Sequence, residues 1–288
     1  CIMGRLFGTD GIRGIANRDL SIQRGAQVGQ ALATVLRERL GEGSKPRVFI
    51  GKDTRLSSDM IEAALASGLC AGGVDCFSLG VVPTPAVACL TVSHRMDAGV
   101  MISASHNPFQ FNGIKIFGPK GYKLTDEEEA EIEDMILDDA IPMHKAEAGE
   151  IGRHTQGEDL AVEYIRHIAG TVPGEQPLRG MKVLADCANG SASRTARELF
   201  ALLGADADVI CREPDGVNVN QDCGSTHIEN LRDRVKAGGY HLGVAFDGDA
   251  DRCLAVDEKG NLVDGDQMIA IFATEMKRKG TLHHDTAV

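Results

Sequence analysis

Apolar positions in the first half of the chain change period from one stretch to the next. Ile22, Ala26, Val28, Gly29, Leu32, Val35, Leu36 and Leu40 recur at helical spacing and predict a helix over residues 21–40, stopped by Gly41 and Gly43. Val48-Phe49-Ile50 reads as a short buried strand. Ser57 and Ser58 stand where they can cap a helix running through Met60, Ile61, Ala64, Leu65, Leu69 and Cys70. Residues 74–77 form the next strand, Pro83 and Pro85 open a helix through Val87 and Leu90, and residues 97–102 return to strand. Asn112-Gly113 is a hairpin-turn signal ahead of the strand Ile114-Lys115-Ile116-Phe117. Thr125 with Glu128 spells a capping box for an acidic helix over 126–139.

Residues 141–156 lose this periodicity and contain Pro142, Gly149 and Gly152, so a boundary is expected there. Beyond it the alternation resumes. Helices are predicted near 159–168, 192–203 and 230–237, with strands at 181–185, 208–210 and 242–246. Leu254-Ala255-Val256, a Lys259-Gly260-Asn261 turn and Leu262-Val263 read as a hairpin, followed by a helix over 266–279 and the entry to a strand at 285–288. The expected fold is α/β: consecutive domains with mixed, mostly parallel sheets flanked by helices. The expected division is 1–152, 153–256 and the opening of a third unit at 257–288.

Composition narrows the function classes. At 288 residues the chain has room for roughly two domains. Its 43% hydrophobic content is enough to build cores in both. A net charge of -12 argues against a nucleic-acid partner, although lysines, arginines or a cation can still dominate inside a cleft that takes a small phosphorylated ligand. The eight cysteines include Cys1 and form no Cys-x-x-Cys pair, which predicts reduced thiols in a cytoplasmic protein rather than a zinc module. No apolar run reaches the ~18 residues of a membrane span, and no leader precedes Met3, which stands as a candidate start.

Two loops concentrate the chemistry. Asp247, Asp249 and Asp251 alternate in Phe246-Asp247-Gly248-Asp249-Ala250-Asp251-Arg252, directly after an apolar strand, where open α/β sheets bind ligands. Two such charges 4 Å apart repel by about 4 kcal/mol at an effective dielectric of 20. A divalent cation relieves this, and carboxylate oxygens suit Mg²⁺ or Ca²⁺. A calcium-binding EF-hand loop is excluded because Arg252 stands where that loop needs its glycine. The competing reading is a solvated acidic turn. Arg252 is placed either to fork onto a phosphate or to neutralise its neighbours.

The other loop, Ser103-Ala104-Ser105-His106-Asn107-Pro108, also follows an apolar strand. Ser105 is a candidate nucleophile, set against a hydrogen-bonded turn. The Gly-x-Ser-x-Gly elbow of α/β hydrolases is absent. Phe7-Gly8-Thr9-Asp10-Gly11-Ile12-Arg13-Gly14 offers backbone amides and Arg13 to an anion without matching a nucleotide loop. Lys115 lies on a short strand close in sequence to Ser105.

The ordered combination of the serine loop, Asn112-Gly113-Ile114-Lys115 and Asp247 to Arg252 resembles the α-D-phosphohexomutase superfamily over essentially the whole chain. Phe7 to Gly14, Val82-Pro83-Thr84-Pro85-Ala86 and Val263-Asp264-Gly265-Asp266-Gln267 resemble its amino-sugar branch. Ala250 stands where the commoner pattern has glycine. The resemblance implies interconversion of glucosamine 6-phosphate and glucosamine 1-phosphate through a phosphoserine at Ser105 and a hexosamine 1,6-bisphosphate. One Mg²⁺ would be held by Asp247, Asp249, Asp251 and the Ser105 phosphate. Lys115, Arg13 and His106, in that order, become candidates for acid–base or charge-stabilising roles, and Arg252, Asn107 and Thr9 candidate phosphate contacts. The superfamily's sugar loop, Gly-Glu-x-Ser-Gly, and distal phosphate loop, Arg-x-Ser-Gly-Thr, do not occur in this chain, so little turnover is expected from it alone. The alternatives are the phosphomannomutase/phosphoglucomutase branch or a catalytically silent metal-binding domain. Partners reduce to a phosphosugar, with no nucleic acid, no membrane, and a homodimer as the one assembly entertained.

Overall fold

The computed structural model describes residues 6–41, 43–138, 140–157, 159–284 and 286, which form two layered units. Cys1, Met3 and most of the strand entry expected at 285–288 lie outside them, as does residue 139 at the expected end of the acidic helix. The first unit contains β1 (Phe7–Gly8), β2 (Gly11–Ile15), α1 (Ile22–Leu40), β3 (Arg47–Lys52), α2 (Leu56–Ala71), β4 (Asp75–Val81), α3 (Thr84–Ser93), β5 (Ala98–Ile102), β6 (Phe111–Phe117), α4 (Asp126–Leu137) and β7 (His154–Gln156). The second contains α5 (Ala161–Thr171), β8 (Lys182–Asp186), α6 (Ala196–Leu202), β9 (Asp206–Ile210), α7 (Glu229–Gly238), β10 (Leu242–Phe246), β11 (Cys253–Asp257), β12 (Leu262–Val263) and α8 (Gly265–Lys279). Among the described residues no helix is long and apolar enough to cross a membrane.

Sheet order in the first unit is β1-β2-β6-β5-β3-β4-β7, and in the second β12-β11-β10-β8-β9. Helical crossovers make β3, β4 and β5 parallel, and β10 parallel to β8. Residues 103–110 are all that join β5 to β6, and 247–252 all that join β10 to β11. Neither stretch is long enough for a crossover, which takes a dozen or more residues, so β6 and β11 return antiparallel. Parallel and antiparallel pairings are therefore evenly divided in each sheet. The serine loop and the acidic loop occupy equivalent places, at the carboxyl end of a parallel strand just before the chain reverses.

Period-two alternation sets the layers. Val48 and Ile50 of β3 pack with α1, α2 and α4, while Phe49 faces α3 and α5. Val100 and Ile102 against Met101 repeat the pattern on β5. In the second unit Val183 and Ala185 meet α6, and Leu184 meets α7. The close approach of α1 to α2 depends on glycine: a Cβ at Gly68 would sit 2.0 Å from the Ala26 carbonyl oxygen.

β7 pairs with β4 of the first sheet, and α5 at the head of the second unit buries Ala161 and Tyr164 against that sheet's far face. Two expectations change. Ser57 and Ser58 do not cap α2, whose N-cap is Arg55 without a side-chain bond. They receive the Asn112 side-chain amide instead. Asn112-Gly113 is not a hairpin turn but lies inside β6, opposite Gly14 and Arg13 of β2. A Cβ at Gly113 would lie 2.6 Å from the Ser103 carbonyl oxygen, so glycine is needed there for crowding rather than for turning.

Candidate active site

The serine loop is built around a buried ion pair that the sequence reading passed over. Asp53 and Arg55 follow β3, and both side chains are fully buried, with Arg55 Nε 2.7 Å from Asp53 Oδ2. Arg55 Nη1 donates to the carbonyls of Pro108 and Phe111 at 2.6 and 2.9 Å. Its Nη2 donates to the carbonyls of Ser105 and Asn107, both at 2.8 Å. Ser103 Oγ donates to Asp53 at 2.6 Å and accepts from the Ser105 amide at 2.9 Å. This network holds Ser105 at a left-handed φ of 53°, a conformation that costs a non-glycine residue about 1–2 kcal/mol. Two opposite charges immediately after an apolar strand were the available signal.

The acidic loop meets the serine loop directly. Ser105 Oγ donates to Asp247 Oδ2 at 2.6 Å across 142 positions of sequence. Thr84 at the start of α3 donates its amide to the Asp249 carbonyl at 2.8 Å and its hydroxyl to Asp249 Oδ2 at 2.6 Å. From the second unit, Asn220 Nδ2 donates to the Ser105 carbonyl at 2.9 Å. Thr54 Oγ1 returns a bond to the Asn189 carbonyl at 2.6 Å. A side chain at Gly248 would come within 2.6 Å of the Ser105 carbonyl, so only glycine lets the two loops touch. Ala250 in the same loop has φ 54°. Ala250→Gly should therefore raise stability by roughly 0.5–1 kcal/mol in denaturant unfolding, by relieving left-handed strain.

Lys115 is buried on β6 and brings its ammonium to Asp10, Asp249 and Asp251 at 3.1, 2.9 and 3.0 Å. Burial alone would push its pKa down, but Asp249, then Asp251 and Asp10, outweigh this and hold it above the usual lysine range. Burial also pushes Asp249 up, yet Lys115 and Thr84 bring it below an ordinary carboxylate. Asp247 has no such cation. Burial, then the charge of Asp249, raises it to about 7. A raised carboxyl pKa stabilises the fold below the unfolded value of 3.8, and that contribution is lost as pH climbs towards 7. The cation-free protein should show this loss in urea midpoints measured across that window, and Asp247→Asn should flatten it.

The donor set fits a hard divalent cation. Oxygens of Asp247, Asp249 and Asp251 lie within 4.8 Å of one another. Asp249 Oδ1 is buried without a hydrogen-bond partner among the described residues, an acceptor left free for an ion. Three carboxylates with no nitrogen or sulfur ligand favour Mg²⁺ over zinc.

The other expected residues are placed unevenly. His106 Nδ1 lies 3.5 Å from Ser105 Oγ, and burial, followed by the charges of Arg252 and Arg13, lowers its pKa. Arg13 pairs with Asp10, and its buried Nε has no partner among the described residues. Asp10, not singled out from the sequence, thus links Arg13 to Lys115. Arg252 is exposed, 4.0 Å from Asp251, while its backbone amide donates to Asp247. Thr9 is exposed and offers its carbonyl to Lys123. Asn107 enters the network through its backbone: its carbonyl accepts from Arg55 and Asn220. Beside the loops opens a cleft of about 500 Å³ whose lining includes His106, Gln110, Asn220 and His227.

Comparison with known proteins places this arrangement. The family models for phosphoglucomutase/phosphomannomutase alpha/beta/alpha domains I and II match residues 4–141 and 162–260. The chain is 51% identical over 286 residues to the phosphoglucosamine mutase of Acetivibrio thermocellus, covering 99% of this chain and 63% of that protein. It is 50% identical to the phosphoglucosamine mutase of Clostridium acetobutylicum with the same coverage. The crystal structure of a phosphoglucomutase/phosphomannomutase family protein from Burkholderia thailandensis superposes with a TM-score of 0.81 at 30% identity, covering 95% of this chain and 59% of that one. The chain thus spans just under two thirds of the length of the curated relatives it matches. With both domain models matched in order, the chain belongs to the phosphoglucomutase/phosphomannomutase family.

Proposed function

We propose that this chain carries the phosphoryl-transfer centre of a phosphoglucosamine mutase, interconverting glucosamine 6-phosphate and glucosamine 1-phosphate with Ser105 as the phosphoryl carrier. One observation carries the reading: the Ser105 hydroxyl lies 2.6 Å from a carboxylate of the acidic triad, although the two residues come from different sheets. Ser105 would hold the phosphoryl group between turnovers and give it to a free hydroxyl of the sugar monophosphate, making a hexosamine 1,6-bisphosphate. The other phosphate then returns to Ser105. Asp247, Asp249 and Asp251 would hold Mg²⁺, which supplies charge neutralisation at the transferring group.

Lys115, kept charged by its three carboxylate neighbours, acts as a donor towards phosphoryl oxygens and not as a base. His106, with its lowered pKa and its place beside Ser105 Oγ, is the better proton acceptor. Arg13 and Arg252, whose charges both act on His106, would meet phosphate beside it. The 51% identity to a phosphoglucosamine mutase favours the amino sugar.

The test is incubation with glucosamine, glucose and mannose 1,6-bisphosphates and Mg²⁺, followed by peptide mass mapping. One phosphoryl group on Ser105, gained fastest from the glucosamine compound, is expected. Modification elsewhere, or none, contradicts the carrier role. Preference for glucose or mannose would move the chain to the phosphomannomutase/phosphoglucomutase branch.

A further inference from the structure

The second unit holds another group of ligating side chains with a different chemistry. Asp186 ends β8, Cys211 follows β9, and Cys223 lies in the loop before α7. A carboxylate oxygen and the two sulfur atoms lie within 4.8 Å of one another. We propose that Asp186, Cys211 and Cys223 form a binding site for a soft divalent cation of the zinc class, separate from the all-oxygen triad.

The carboxylate is fixed in advance. Asp186 is completely buried, and its two oxygens accept the amides of Ala188 and Gly224 at 2.9 and 3.0 Å. Among the described residues no lysine or arginine forms an ion pair with it. A carboxylate has about four lone-pair sites, so two remain for a metal. Backbone donors that orient a ligating group in this way serve in metal sites to hold the ligand and tune its basicity. Asn189 Nδ2 points at Cys223 Sγ from 3.8 Å, the contact that steadies a thiolate.

Cys223 is buried and Cys211 half-buried, which leaves an approach from the Cys211 side. Zinc–sulfur bonds of about 2.3 Å and zinc–oxygen bonds of about 2.1 Å are within reach of small side-chain rotations from this arrangement, with water completing a tetrahedron. Each thiol that binds gives up its proton, so a divalent cation replaces two protons and the site's net charge is unchanged. Thiolates select such a cation against Mg²⁺.

The site also has a structural consequence. It ties the ends of two strands to the loop carrying Asn220, whose amide holds the Ser105 carbonyl. Filling it should stiffen the platform under the serine loop.

The experiment titrates the reduced, metal-free chain with Co²⁺ in millimolar Mg²⁺. The expected result is a thiolate-to-cobalt charge-transfer band in the near ultraviolet that saturates at one equivalent, is bleached by Zn²⁺, and is lost in both Cys211→Ser and Cys223→Ser. Cys70→Ser, which alters the other close thiol pair, should keep the band. Asp186→Asn should weaken Co²⁺ binding at least about tenfold. No band at saturating Co²⁺ overturns the proposal. So does a band that survives both serine variants, or mass mapping that finds a Cys211–Cys223 disulfide with no metal taken up. None of these outcomes bears on phosphoryl transfer at Ser105.

Discussion

Ser105→Ala is expected to abolish phosphoryl acceptance while leaving the fold unchanged. The hydroxyl makes one strong bond, to Asp247, and the loop around it is held by Arg55 and Asn220 through backbone carbonyls that alanine keeps. Removing a nucleophile that nothing else replaces costs on the order of 10⁴-fold or more in rate. Phosphopeptide mapping after bisphosphate treatment should find no modified residue in the variant, and its unfolding free energy in urea should drop by no more than the about 1–3 kcal/mol that leaving the buried Asp247 carboxyl without its donor costs. A variant that still acquires phosphate at the parental rate would remove Ser105 from the chemistry.

Arg55→Met carries the largest expected effect on stability. The guanidinium is fully buried and satisfies Asp53 and four carbonyls at once. Its removal strands a buried carboxylate and takes one donor from each of those carbonyls, a change that typically costs 3–5 kcal/mol. Arg55→Lys should rescue little, because a single ammonium cannot reproduce the planar fork. Replacing Asp53 by Asn as well should recover part of the loss, since the unpaired charge then disappears. Equilibrium unfolding of the three variants checks this. A loss below about 1 kcal/mol for Arg55→Met would mean that the loop is organised by something else.

Much of this molecule is legible from its letters, for identifiable reasons. Helices with an apolar stripe and a chemical start signal read well. Ser21 accepts the Arg24 amide at the start of α1, and Thr125 and Glu128 form both halves of the capping box. Strands such as β10 read well because they are apolar and end abruptly in charge. What misled was local chemistry overridden by tertiary crowding. Asn112-Gly113 carries a turn signal, yet Gly113 is there so that three backbones can pass within contact distance, and Asn112 is spent on Ser57 and Ser58. The pairing of β2 with β6 was invisible because glycines interrupt its alternation.

The site divides the same way. The two loops could be picked out because each concentrates reactive groups after an apolar strand. Their supports were harder to find: Asp10, Thr84 and Asn220 act through one or two bonds to residues far away in sequence, and the bonds that fan out from the Asp53–Arg55 pair end on backbone carbonyls of the serine loop. A lone charged residue has no pattern, and its meaning arises only when the sheets bring it to its partner. Conversely, Thr9 and Asn107 sit in conspicuous motifs, yet both enter the structure through backbone carbonyls.

The central claim is that the group carried on Ser105 and the cation held by Asp247, Asp249 and Asp251 share one centre. Phosphorus-31 relaxation of the Ser105-phosphorylated chain during titration with Mn²⁺, a paramagnetic stand-in for Mg²⁺, measures this directly. The phosphoserine resonance should broaden beyond detection at one equivalent, and Asp247→Asn combined with Asp249→Asn should restore a narrow line at the same concentration. A line that stays narrow while Mn²⁺ is bound would place cation and phosphate apart and contradict the account.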